Sequence, residues 1–190
     1  DIGHMVMLLT PSNNPIPNTG AGCIYEADCC VEAGSTFEVA MGEHDRKAFL
    51  DEMAVEPHKK MENMLGMVRA ESSQCYKERD EECIDRVITN TVGYHKINAM
   101  VLEQVREWVI CVVLRALGDA KGEKEKLLLQ NTVGELYKQQ GKYEEAESHL
   151  KPCFVGREAL LGEHHPDTML SAHNLGTLYT NKGEYDKAMR

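Results

Sequence analysis

The stretch "NTVGELYKQQGKYEEAE", residues 131–147, is repeated in outline forty-two residues later. One shift aligns six pairs of identical residues: Gly134 with Gly176, Leu136 with Leu178, Tyr137 with Tyr179, Gly141 with Gly183, Tyr143 with Tyr185 and Ala146 with Ala188. Self-similarity at a fixed period of a few tens of residues is typical of stacked helical repeats. The pattern therefore predicts two helical hairpins in the last third of the chain.

Composition and charge exclude several classes of partner. The chain of 190 residues carries a formal net charge of −10, so it lacks the clustered Lys and Arg that bind nucleic acid or an anionic membrane surface. Its apolar runs are all shorter than the roughly 18 residues that a membrane span needs. We therefore expect neither a nucleic acid nor a membrane as partner.

The seven cysteines include no CxxC pair. An odd count without metal-ligand spacing is typical of reduced, buried residues in a cytoplasmic protein. "EHHPD", 163–167, places two histidines among acids, but this pattern fits a solvated loop between helices better than a metal site. The sequence thus predicts no cofactor and no metal.

The first part of the chain shows strand and helix patterns in alternation. Short apolar runs at 5–10, 36–41 and 64–70 predict strands, although the third could also continue a helix. Strands that alternate with helices favour parallel pairing. The predicted fold class is therefore α+β, mostly α: a small parallel α/β sheet fragment of about three strands, then a long helix and two 42-residue helical hairpins. The predicted boundaries are 1–118 for the α/β domain with its linking helix, 119–126 for a charged boundary, and 127–190 for the repeats.

Spacing within the repeat matches the tetratricopeptide (TPR) pattern. In this pattern each repeat is a hairpin of two helices, A and B. The glycine three residues before Tyr137 or Tyr179 lies on helix A and lets helix B approach it closely. We expect Gly134 and Gly176 to have no room for a larger side chain, and Gly141 and Gly183 to form the turns between helices. Pro152 should bend or break helix B of the first repeat, since it removes a hydrogen bond.

Residues 127–190 resemble the repeats of kinesin light chains, through "NTVGELYKQQGKYEEAE", "ALLGEHHPDT" and "HNLGTLYTNKGEYDKAM". That family holds extended peptide segments on the concave face of its A helices. When the two repeats are aligned with the A helices of that family, the resemblance implies ten peptide-binding positions, which we call the candidate surface. These are Asn131, Thr132, Glu135, Lys138, Gln139, His173, Asn174, Thr177, Thr180 and Asn181. Asn174 matches the asparagine that grips the peptide backbone, and Thr132 stands there in the first repeat.

A second resemblance covers roughly residues 1–118. "GCIYE", 22–26, is similar to the motif of TIR domains, in which a glutamate acts on the ribose of NAD. The matching residue is Glu26, which would be the catalytic candidate of a TIR-like domain that processes NAD.

Two functions follow from these patterns. We expect a non-enzymatic scaffold that binds a protein or peptide partner; the alternative is NAD processing at Glu26, with the repeats as a sensor or assembly region. The second repeat stops one turn into helix B, so we expect the chain to be part of a longer protein. An incomplete helix B would leave Leu170, Leu175 and Leu178 on helix A partly uncovered. Exposed apolar side chains favour contact with another chain, so we expect self-association.

Overall fold

The computed structural model describes residues 4–9, 36–55, 57–66 and 94–189. Its elements, in chain order, are β1 (His4–Leu9), β2 (Thr36–Met41), α1 (Glu43–Val55), α2 (Pro57–Gly66), α3 (Tyr94–Asp119), α4 (Glu123–Gln139), α5 (Tyr143–Leu161), α6 (Pro166–Lys182) and α7 (Tyr185–Ala188). The chain divides into two compact units, and the main divide falls between Val109 and Ile110 inside α3. The short segment Met53–His58 groups with the second unit.

In the first unit, β1 and β2 pair in parallel with His4 opposite Thr36 and Leu9 opposite Met41. Helix α1 begins with two acidic residues in its first turn, which favour a helix N-terminus. Phe49 of α1 is fully buried, and its ring lies 5.6 Å from that of Trp108 in α3. This aromatic pair packs α1 against the first half of α3.

The predicted fold class, an α+β chain that opens with a parallel α/β sheet fragment of about three strands, is wrong. Helices make up most of the chain that the structure describes, where strand is confined to the six residues each of β1 and β2. The predicted third strand, 64–70, begins inside α2, which runs from Pro57 to Gly66. A short apolar run fits either structure, and here the helix that starts at Pro57 continues into it. Helical spacing in "TGAGCIYEADCCVEAG", 19–34, and in "KERDEECIDRVITNTVG", 77–93, predicts two further helices, but both stretches lie outside the described residues.

The second unit contains the helical repeats, which confirms the prediction for the last third of the chain. Helices α4 and α6 are the A helices, and α5 and α7 are the B helices. Gly141 and Gly183 end the two A helices with φ of 71° and 76°. Side chains other than glycine rarely adopt this left-handed conformation, so the two glycines make the same turn in both repeats.

Helices α4 and α5 approach each other closely at two glycines. A Cβ on Gly134 would lie 2.5 Å from Cγ of Leu150, and a Cβ on Gly156 would lie 2.5 Å from Cδ2 of Leu127. Both distances are too short for carbon atoms, so the two helices pack at this distance because the glycines have no side chain. The expectation for Gly134 is confirmed.

The same expectation for Gly176 is wrong. A Cβ there would lie 3.6 Å from the backbone oxygen of Ala188, which is an ordinary contact. Leu150 fills the space beside Gly134. Among the described residues, no side chain lies beside Gly176 as Leu150 does beside Gly134, so this position has room for a methyl group.

Helix α5 does not break at Pro152. It runs without interruption from Tyr143 to Leu161, although Pro152 has no N–H to donate to the carbonyl of Ser148. Leu150 and Cys153, on either side of the proline, are both fully buried. Their packing holds the two flanking turns in place, while the proline ring itself is exposed.

A buried polar network joins α5 to the start of α6. Nη1 of Arg157 donates to the Asp167 carbonyl at 3.0 Å and to the Ser171 hydroxyl at 2.8 Å. The imidazole Nδ1 of His165 accepts a bond of 3.2 Å from the Asp167 amide and so caps α6, whose first residue is Pro166. These contacts fix the position at which the second A helix begins.

Candidate peptide-binding surface

The four outward residues of the candidate surface on α6 share one side of the helix. His173, Thr177, Thr180 and Asn181 follow one another at helical spacing, and all but the half-buried Thr177 are exposed. The Thr177 and Thr180 hydroxyls each donate a bond of 2.9 Å to the carbonyl four residues earlier. Each hydroxyl oxygen keeps lone pairs that can accept a further bond. This part of α6 offers polar groups that the core does not use.

Asn174 has a different role from its outward neighbours. Its Nδ2 donates a hydrogen bond of 3.0 Å to Oδ1 of Asn131 on α4, and both residues are buried. Asn174 therefore joins the A helices of the two repeats. The asparagine that the resemblance assigns to a peptide backbone is already bonded inside the protein through this nitrogen.

The part of the candidate surface on α4 is largely covered. Asn131, Thr132 and Glu135 are at most 6% exposed. Nζ of Lys138 lies 2.7 Å from Oε1 of Glu135, and both side chains are less than a tenth exposed. Gln139 is exposed at the end of the helix. Of the ten predicted positions, those on α4 are thus covered except for Gln139, and those on α6 are open except for Asn174.

A cluster of charged groups connects α5 to the end of α6. Nζ of Lys182 lies 2.8 Å from Oε2 of Glu147, and the Tyr179 hydroxyl donates to Oε1 of the same carboxylate at 3.1 Å. The hydrogen bond to Lys182 is the main reason why the pKa of Glu147 is lowered, and its counterpart raises the pKa of Lys182. Burial, followed by the bond to Glu147, raises the pKa of Tyr179. The cluster holds both members of the central ion pair in their charged forms.

Two further groups have pKa values shifted by burial. His149 is half-buried against the ring of Tyr137, with ring centres 5.8 Å apart, and burial lowers its pKa. Cys153 is fully buried, and burial raises the pKa of its thiol despite the bond to Ser171. Both groups belong to packed helix interfaces, and neither is a member of the candidate surface.

Other predicted sites have no support in the described part of the chain. Glu26, the candidate for NAD chemistry, lies outside the described residues. Within those residues, no three His, Cys, Asp or Glu side chains come together as metal ligands. His165 of the "EHHPD" stretch caps α6. None of the described helices is both long enough and apolar enough to cross a membrane.

Leu128, next to the candidate surface, was missing from the prediction, whereas Leu170 was among the leucines expected to lack cover. Leu128 and Leu170 are 38% and 49% exposed. The forty-two-residue shift aligns them with each other. That alignment was the available signal, but it cannot distinguish a core leucine from a surface one.

The geometry of residues 123–189 is that of a helical-repeat protein, in which paired antiparallel helices stack on their neighbours. Residues 125–190 match the model of the family described as Tetratricopeptide repeat. Neither the curated proteins nor the solved structures gave a match to the chain. Tetratricopeptide repeats are in general protein-interaction modules and are typically not enzymes.

Proposed function

We propose that the repeats bind an extended segment of a partner protein along the candidate surface, and that the chain acts as an interaction or scaffold module in the cytoplasm. The observation that carries this proposal is the open polar face of α6. Its hydroxyl, amide and imidazole groups stand on a helix whose position is fixed by the Asn131–Asn174 bond and the Arg157 network.

A rigid helix that presents unused polar groups suits peptide recognition for a physical reason. An extended peptide has unpaired backbone N–H and C=O groups, and side chains on a fixed helix can bond them without losing much conformational entropy. The resemblance to kinesin light chains implies the same face. The kinesin-light-chain likeness and the peptide register remain proposals.

The proposal is tested by selecting peptides from a random dodecapeptide library displayed on phage and measuring their affinity by fluorescence polarisation. His173→Ala combined with Asn181→Ala should weaken the selected peptides by about tenfold or more, the usual size of a contact that matters. The matched control is Lys151→Ala, an exposed residue on α5. Equal affinity in both variants would place the binding elsewhere and refute the proposal.

The alternative, NAD processing with Glu26, stays a prediction. No described residue bears on it. Incubation of the protein with NAD, followed by a search for released nicotinamide, separates it from the scaffold function.

A further inference from the structure

The open face of α6 is not polar along its whole length. Leu170 lies one turn before His173 on the same side of the helix, and about half of its surface is exposed. Leu128 holds the equivalent position on α4 and is also exposed. Each leucine precedes, by three or four residues, one of the two asparagines that bridge the helices. The candidate surface is therefore flanked at one end by the apolar residues Leu128 and Leu170, and its other end, toward Gln139 and Asn181, is polar.

The candidate surface also carries little free charge. Glu135 and Lys138 are its charged members, and they are bonded to each other and largely buried. Its other eight residues are amides, hydroxyls and one histidine. The first turn of α4 adds Glu123, Lys124, Glu125 and Lys126, whose charges cancel. A strongly charged ligand would lose its hydration here without gaining an ionic partner.

We infer that the partner segment is an uncharged, extended peptide with an aliphatic side chain that packs on Leu128 and Leu170. Residues with hydroxyl or amide side chains follow it toward Thr177 and Asn181. This inference rests on the proposed function and specifies the ligand of the same surface. Contact between apolar side chains supplies the affinity, and the polar end fixes the orientation of the peptide.

Two consequences distinguish this ligand from an acidic or basic one. Affinity should change less than about twofold between about 50 and about 500 mM NaCl, because salt screens charge pairs and leaves apolar contacts in place. Leu170→Asp should weaken binding by about tenfold or more, because it places a carboxylate where the aliphatic side chain packs. Leu170→Ser removes the apolar contact without adding charge, and it should also weaken binding.

The probe is the random dodecapeptide library, selected against the wild-type protein at about 150 mM NaCl, a salt level at which weak surface charge pairs are screened. The expected result is enrichment of uncharged peptides with an aliphatic residue, whose affinity is insensitive to salt and lost in both Leu170 variants. Val155→Asp is the matched control, since Val155 is 54% exposed on α5 and should tolerate the charge. Circular dichroism establishes that each variant is folded.

The outcomes separate the inference from the proposed function. Enriched peptides that are charged, depend on salt, or bind Leu170→Asp as well as wild type would overturn the inference. If those peptides still lose affinity in the His173 and Asn181 variant, the proposed function stands. A library that yields no binding peptide at all would overturn both.

Discussion

The buried side-chain amides of Asn131 and Asn174 form a hydrogen bond of 3.0 Å between the two A helices. The two residues occupy adjacent positions of the repeat rather than the same one, since Asn131 aligns with His173 and Asn174 with Thr132. The bond therefore belongs to the interface between repeats and sets the position of α6 relative to α4. The candidate surface spans these two helices.

Asn174→Ala should destabilise the repeats. It leaves Oδ1 of the buried Asn131 without this donor, and an unsatisfied buried acceptor costs about 1–3 kcal/mol. Asn181→Ala, on the exposed side of the same helix, should change stability by about 0.5 kcal/mol or less. Urea unfolding followed by circular dichroism measures both, and equal midpoints would contradict a structural role for the bond.

The two aligned glycines should respond to alanine in opposite ways. Gly134→Ala places a methyl group against Leu150, and such overpacking costs about 1–3 kcal/mol. Gly176→Ala meets no close contact and should stabilise α6 by about 0.5–1 kcal/mol, the difference in helix propensity. Thermal melts of the two variants compare them directly. The same sign of change in both would mean that the repeats pack alike at these positions.

Stability should fall as the pH decreases below about 6.5, the usual pKa of an unfolded histidine, because burial lowers the pKa of His149 in the folded protein. Between the folded and unfolded pKa values the unfolded chain binds more protons, so acid favours unfolding. His149→Phe keeps an aromatic ring beside Tyr137 and removes the titrating group, so the decrease should become smaller. An unchanged pH dependence in His149→Phe would assign the effect to other groups.

The repeat pattern predicted much of the second unit from the sequence alone. Identical residues at one shift located Gly141, Gly183 and the contact at Gly134, because these positions depend on local backbone geometry and on the nearest helix. Which side of α4 is covered could not be predicted, since Glu135 and Thr177 align in sequence but differ in burial. Burial depends on neighbours that are distant in the chain. The prediction of a strand at 64–70 was wrong for a related reason. Apolar content alone does not distinguish a strand from a helix.

The expectation of incomplete cover is wrong for Leu178, which is fully buried, so self-association is now expected from other apolar residues that the second repeat exposes. Met169, Tyr185 and Met189 are 62%, 63% and 80% exposed, and each large apolar side chain gains about 1.5–3 kcal/mol when it is fully buried. Light scattering should show species heavier than 21.3 kDa as concentration rises. Met169→Lys with Met189→Lys should reduce them. A monomer of constant mass in the wild-type protein would contradict this expectation.

The central claim is that a partner peptide binds on the open face of α6, and the most direct test is an NMR titration of the isotope-labelled protein with a library-selected peptide. The predicted result is a set of amide shifts centred on Leu170, His173, Thr177 and Asn181. Lys151 and Val155 on α5 should remain unchanged. Shifts centred on α5, with the residues of α6 unmoved, would contradict the claim.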